Sequence, residues 1–329
     1  MHLQIKPGLR TTWRAPDAVQ IGLDPQHGTL LEGLTPADRA LVEQLAGGLD
    51  EAALPRGAAA RRARQVVALL SASDVLVTRR TGRAQLSRLG AASQRLAPDA
   101  AVWGVVHAGE GDGWELLAAR ARRRVLVTGP GRLATELAQT LTAAGVGTVD
   151  LSPQPPPAQR AGAAPADLVV LVRPAAADSL AAEGLLAADV AHLAVVVREA
   201  GVTVGPLVLP GAGPCLRCLD LHRTDRDPGW PRLLAQLPGR GGVADAGETA
   251  SARLGAGLAA LQVLTHLDGR ARPAAVGATL EIDLPDGLVA RRPWPVHPGC
   301  GCGGADVLGR TGEGQQPGPG GGRGPGQGE

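Results

Sequence analysis

Apolar positions along the chain switch between runs of period two and segments of helical period. VQIGLD (19–24) and GTLLEGL (28–34) are short extended runs beside Gly and Pro and predict two strands. A helix start follows, with Thr35 as N-cap, Pro36 at the first helical position and Asp38 three residues after the cap. Leu41 and Leu45 sit four apart on that helix, and Gly47-Gly48 closes it. A second helix over 57–70 sets Arg61, Arg62 and Arg64 opposite Val66, Val67, Leu69 and Leu70, and VLV (75–77) reads as a strand. This order predicts a small α+β, winged-helix-like module over 1–85. Residues 86–123 read as a helical and extended connector ending in WELLAARARRR, whose Arg122, Arg123 and Arg124 read as a solvated, basic helix C-terminus, with phosphate binding as the alternative.

From 124 to 302 the pattern becomes that of an α/β domain. VLVTG (125–129) is a buried-strand run followed by a glycine turn and the helix LATELAQTLTAAG, where Leu133, Leu137 and Leu141 repeat every four residues. GVGTVDL (145–151) reads as the next strand, which completes a Rossmann-like β-α-β unit. PQPPPAQRAGAAP (153–165) is a solvated loop, while DLVVLV (167–172) and HLAVVV (192–197) have the apolar, β-branched composition of buried parallel strands. A helix over 249–269 carries Leu254, Leu258, Leu261 and Leu264, read as one apolar face. ATLEIDL (278–284) and GLVARRP (287–293) predict a hairpin. The Gly/Pro-rich segment 303–329 has no apolar periodicity and is expected to be disordered.

Charge removes two classes of partner. Thirty-three basic against 31 acidic residues leave a net charge of +2, too weak a field to argue for nucleic acid. No uncharged apolar run reaches the 18 residues a membrane span needs. The start lacks the apolar core of an export signal, so the expectation is a cytoplasmic chain whose four cysteines favour metal over disulfides. The chain has one lysine, Lys6, so chemistry that needs an ε-amine must use it or do without.

The strongest chemical signal is Cys215-Leu-Arg-Cys218 with Cys300-Gly-Cys302, two close pairs that use every cysteine of the chain. Two such pairs complete a tetrahedral S4 site for a structural Zn2+ with no open coordination position. Unligated thiols or a disulfide are the alternatives. His222 and His297 flank the pairs, either as ordinary loop histidines or as replacements for a ligand. The second signal is the turn Gly129-Pro130-Gly131-Arg132-Leu133-Ala134, between a strand and a helix, where backbone N–H groups favour an anion. Asp150 follows at about the 20-residue distance of a ribose-binding acid. Pro130 and Arg132 depart from the nucleotide fingerprint, so the turn reads either as a weak nucleotide site or as a vestige that only packs the helix. Asp225, Asp227, Asp245 and Glu248 show no spacing that defines an acid/base pair, and no free nucleophile remains, so no catalytic residue is assigned.

The glycine turn, the long linker, GPCLRCL (213–219), the helix after it and HPGCGC (297–302) occur in the order found in the ThiF/MoeB superfamily, the bacterial relatives of ubiquitin-activating enzymes. The chain resembles that superfamily over 124–302, with Cys-x-Cys where many members have Cys-x-x-Cys. WRAPDAVQIGLDP and TLLEGLTPAD resemble the leader-recognition modules that precede ThiF-like domains in cyclodehydratase partner proteins, which help make thiazole- and oxazole-modified peptides. The resemblance implies ATP-Mg binding and adenylation of a small carrier protein, using a Gly-x-Gly-Gly-x-Gly loop, an Asn-Leu-x-Arg segment, a lysine and an Asp-Asn pair. Gly129 and Gly131 match the loop, and Arg160 is the one remnant of the Asn-Leu-x-Arg segment. Pro153 falls where the ribose acid belongs, leaving Asp150 as a substitute, and Arg173-Pro174 stand where the Asp-Asn pair would be. The expectation is therefore a pseudoenzyme with a degraded ATP site. It would bind a precursor leader peptide along a sheet edge and present it to a YcaO-type enzyme. An active adenylyltransferase acting on a small carrier protein is the alternative, a winged-helix DNA-binding regulator is a third reading, and the resemblance leaves room for a homodimer.

Overall fold

The computed structural model describes residues 2–79, 89–107, 109, 113–153, 166–237 and 247–303. Arg160, Asp245, most of the Pro-rich stretch and the segment from 304 onward lie outside them.

Among residues 2–79, strands β1 (His2–Ile5), β2 (Thr11–Ala15), β3 (Ala18–Ile21) and β4 (Thr29–Leu31) precede helix α1 (Pro36–Gly47). The short β5 (Leu49–Asp50), helix α2 (Ala58–Ala72) and β6 (Leu76–Arg79) follow. They form two antiparallel sheets of three strands, β5-β1-β6 and β2-β3-β4. α1 begins as the sequence dictates. Thr35 accepts the Asp38 N–H, Asp38 returns a bond to the Thr35 N–H, and Pro36 opens the helix. One core joins these elements, with Ile5, Val19, Ile21, Val42, Leu45, Val66 and Leu70 all buried.

Helices α3 (Ala92–Val106) and α4 (Trp114–Arg120) lead into the large sheet. Its strands are β7 (Arg124–Thr128), β8 (Thr148–Ser152), β9 (Leu168–Pro174), β10 (His192–Arg198), β11 (Gly201–Val208), β12 (Ala278–Asp283) and β13 (Val289–Pro293). Their order is β13-β12-β11-β10-β9-β7-β8, parallel from β8 to β10 and antiparallel from β10 to β13. Helix α5 (Gly131–Ala143) connects β7 to β8, and α6 (Ser179–Ala187) connects β9 to β10. After β11 come α7 (Leu216–Arg226), α8 (Trp230–Leu234) and α9 (Thr249–Asp268). α5 and α9 cover one face of the sheet; α6 and α7 lie against the other, whose core includes Cys215, Cys218 and Cys300. No described helix is long and apolar enough to cross a membrane.

One helix face differs from expectation. α9 turns Ala252, Ala256, Ala259, Ala260 and Val263 inward and leaves Leu254 and Leu261 44% and 50% exposed. The small residues win because the helix lies close against the sheet and α5: a Cβ on Gly255 would come within 2.7 Å of Val202. Leucines at that approach would force the layers apart.

Candidate metal centre and strand-end crevice

The four cysteines converge from two segments far apart in sequence. Cys215 caps the N-terminus of α7 and Cys218 lies in its first turn, while Cys300 and Cys302 follow β13. Gly301 between them has φ +67, the left-handed geometry that lets both sulfurs turn to one point. Sγ–Sγ distances are 3.8 Å for Cys215–Cys218, 3.5 Å for Cys215–Cys300 and 3.6 Å for Cys218–Cys302. These separations exceed a disulfide's 2.05 Å, and all four are free thiols. A tetrahedron of thiolates 2.3 Å from a central ion has edges of about 3.8 Å, so the set fits a four-sulfur metal centre. Burial pushes the Cys215 thiol up to about 11 and the Cys300 thiol further in the same direction. Four thiolates in that environment need a cation to be held there.

A second group adjoins the first. His222, Asp225 and His297 each bring a ligand-type atom within 4.8 Å of the others. His297 Nε2 lies 2.9 Å from Asp225 Oδ2, and the His222 and His297 rings meet edge-on at 4.7 Å. The sequence alone leaves both histidines open between loop residues and replacement ligands and assigns Asp225 no pairing. Their common face was legible in the spacing of Cys218, His222 and Asp225 on one helix. Glu248 caps α9 through the Ala250 and Ser251 N–H groups, which hold its carboxyl below the usual range. Asp227 accepts the Gly229 N–H.

The glycine turn lies at the C-terminal end of β7, between its neighbours β8 and β9, where open α/β sheets form their ligand crevice. Gly129 has φ +134, and a Cβ there would sit 2.0 Å from the Val172 carbonyl oxygen, so the turn packs directly onto β9. Pro130 is the N-cap of α5 and Gly131 its first residue. Arg132 reaches Thr249. Arg173, at the end of β9, donates from Nη1 to the Val172 carbonyl at 2.8 Å and the Thr128 carbonyl at 3.4 Å, and from Nε to Asp178 at 3.2 Å. A guanidinium thus bridges the two strands that flank the crevice. Asp150 is not at this mouth unpaired: it receives Arg124, with Nη2–Oδ2 at 2.8 Å. Arg123 pairs with Asp167 and Arg122 bonds the Ala118 carbonyl, so the triple-arginine run is paired and capping rather than merely solvated. On α2, Arg62 is engaged by Asp38 of α1 and by the Gly33 carbonyl. Lys6 is buried against Asp74, far in sequence from the crevice.

Solved structures share this architecture over most of the chain. The chain superposes on PaaA with a TM-score of 0.64 and 14% identity, covering 88% of this chain and 99% of PaaA. E. coli MccB matches with a TM-score of 0.62 and 11% identity over 94% of this chain and 98% of MccB. The chain has the ThiF/MoeB-like fold. The heterocyclase TruD contains it as well, with a TM-score of 0.61 and 17% identity over 92% of this chain and 42% of TruD. MccB has been crystallised with ATP and with MccA. No family model matches the sequence, and no curated protein matches it.

Proposed function

We propose that this chain binds a precursor leader peptide and presents it to a modifying enzyme of the YcaO cyclodehydratase type, without itself turning over ATP. The carrying observation is Arg173, which places a guanidinium across the crevice where adenylation needs carboxylate-held metal and a triphosphate. The fold shared with MccB, which has been crystallised with MccA, supports capture of a peptide. So does its occurrence within the longer heterocyclase TruD. Among the described residues, β2 and β4 are the outer strands of the β2-β3-β4 sheet and offer edges at which a strand could add. Beside the start of β2 lies a cavity of about 330 Å³ lined by Leu9, Leu23, Val102, Val105 and Val106, with Arg10 and Asp24 also on its wall.

The assigned organisation is a peptide-recognition module over 1–85, a connector over 86–123, a ThiF-like domain over 124–302 and a tail over 303–329. Cys215, Cys218, Cys300 and Cys302 hold one structural Zn2+, which fixes the loop after β13 to α7. Gly129, Gly131 and Asp150 are the remains of a nucleotide site.

Two measurements test the reading. Saturable binding of precursor leader peptides, followed by fluorescence anisotropy, is expected and should be lost when Trp13→Pro or Leu30→Pro breaks an edge strand. Millimolar ATP-Mg should give no thermal shift. ATP–pyrophosphate exchange with a carrier protein would establish the rival adenylyltransferase instead.

A further inference from the structure

We propose that His297, held by Asp225, is a positioning residue that sets how tightly the second cysteine pair retains its metal. The proposal rests on the zinc reading above. α7 presents one face to the segment 294–302: Cys218, His222, Asp225 and Arg226 fall at helical spacing. Each meets a partner across the gap. Cys218 faces Cys302 at 3.6 Å, His222 Nε2 lies 3.1 Å from the Pro295 carbonyl, Asp225 receives His297, and the Arg226 guanidinium lies 5.2 Å over the Trp294 ring. The cysteines are one rung of a longer fastening.

His297 acts on the ligands at short range. The Gly299 N–H, immediately before Cys300, donates to His297 Nδ1 at 3.0 Å, and the Cys300 N–H donates to the His297 carbonyl at 3.0 Å. The tautomer follows from these partners. A backbone N–H only donates, so the neutral ring carries its proton on Nε2 and gives it to Asp225 Oδ2. The Pro295 carbonyl only accepts, so His222 likewise carries its proton on Nε2. Protons therefore sit where a cation would need lone pairs, and His222, Asp225 and His297 form a hydrogen-bonded clasp rather than a second metal site. Fixed in this way, the turn from His297 to Cys300 keeps the second sulfur pair aimed at the first without the ion. Groups in such an outer layer tune retention without touching the metal.

The test loads the full chain with zinc and follows metal transfer to a chromophoric chelator. His297→Ala should release zinc about 10–100-fold faster than wild type, the loss typical of an outer-layer partner. Asp225→Ala, a change at a largely exposed carboxylate, should move release in the same direction. His297→Asn keeps an acceptor for the Gly299 N–H and His297→Gln keeps a donor toward Asp225, so each should fall between wild type and His297→Ala. Release unchanged in both His297→Ala and Asp225→Ala would overturn the clasp, as would a second zinc equivalent that these variants lose. A wild-type chain that binds neither zinc nor cobalt defeats the zinc reading, and this inference with it. Unchanged release from a chain that does hold zinc defeats this inference alone.

Discussion

Arg120 and Asp268 form a doubly hydrogen-bonded ion pair whose side chains are each only 1% exposed. Nε meets Oδ1 at 2.7 Å, and the guanidinium also lies 4.9 Å from the Trp103 ring. The pair joins the end of α4 to the end of α9 and brings α3 against both. A single substitution, Arg120→Met or Asp268→Leu, strands a buried charge and should cost about 3–5 kcal/mol in chemical denaturation. The double variant should recover most of that loss, because both desolvation penalties disappear together. Singles as stable as wild type would show that the pair is not anchoring this junction.

Metal removal should reverse the alkaline behaviour of the fold. In the metal-free chain, Cys215 keeps its proton more tightly folded than unfolded, so its contribution is fully present below pH 9.0 and is lost as pH rises through about 11. The metal-loaded chain holds thiolates instead and should lose its ion in acid, where protons compete for the sulfurs. Thermal melts of both forms from pH 5 to 10.5 check this: the gap between them should widen upward. Cys215→Ser should lose the ion altogether.

His192 predicts an acid limb. Its ring is fully buried at the start of β10, Nδ1 meets the Val190 carbonyl at 2.9 Å, and Nε2 has no hydrogen-bond partner among the described residues. Burial lowers its pKa below the ordinary 6.5, so the unfolded chain binds the proton more readily. Stability should therefore fall as pH drops below 6.5, through the lowered folded pKa. His266, also lowered by burial, adds to the same limb. His192→Phe should flatten part of the limb in melts from pH 7 to 4; an identical slope would assign it elsewhere.

Thr35 is the simplest stability test. Its side chain completes the capping box with Asp38, whose carboxylate Arg62 also grips at 3.0 Å. Thr35→Ala should cost about 1 kcal/mol, measured by urea unfolding.

Local chemistry was legible in the sequence and long-range chemistry was less so. Thr35-Pro36-Asp38 announced a helix start because a cap is decided within four residues. Leu133, Leu137 and Leu141 announced the buried face of α5, and all three are buried. The cysteine pairs were legible because a tight turn brings two thiols together by itself. β11 is not legible in sequence because Gly201 to Val208 is broken by Gly205-Pro206, and only its pairing with β10 and β12 defines it. The inward face of α9 depended on how closely the layers approach, which leucine spacing does not encode. In sequence Arg173 is only a departure from an acidic motif; its bridge from β9 to the Thr128 carbonyl depends on β7 lying beside β9, which local sequence does not encode.

The burial of Lys6 has a consequence for covalent chemistry. The one ε-amine of the chain is 3% exposed and lies 2.5 Å from Asp74, whose other oxygen receives the Gly109 N–H. The chain thus offers no exposed lysine ε-amine as a nucleophile toward an activated acyl group. Amine-directed crosslinkers and acylating reagents will therefore not report its contacts through lysine.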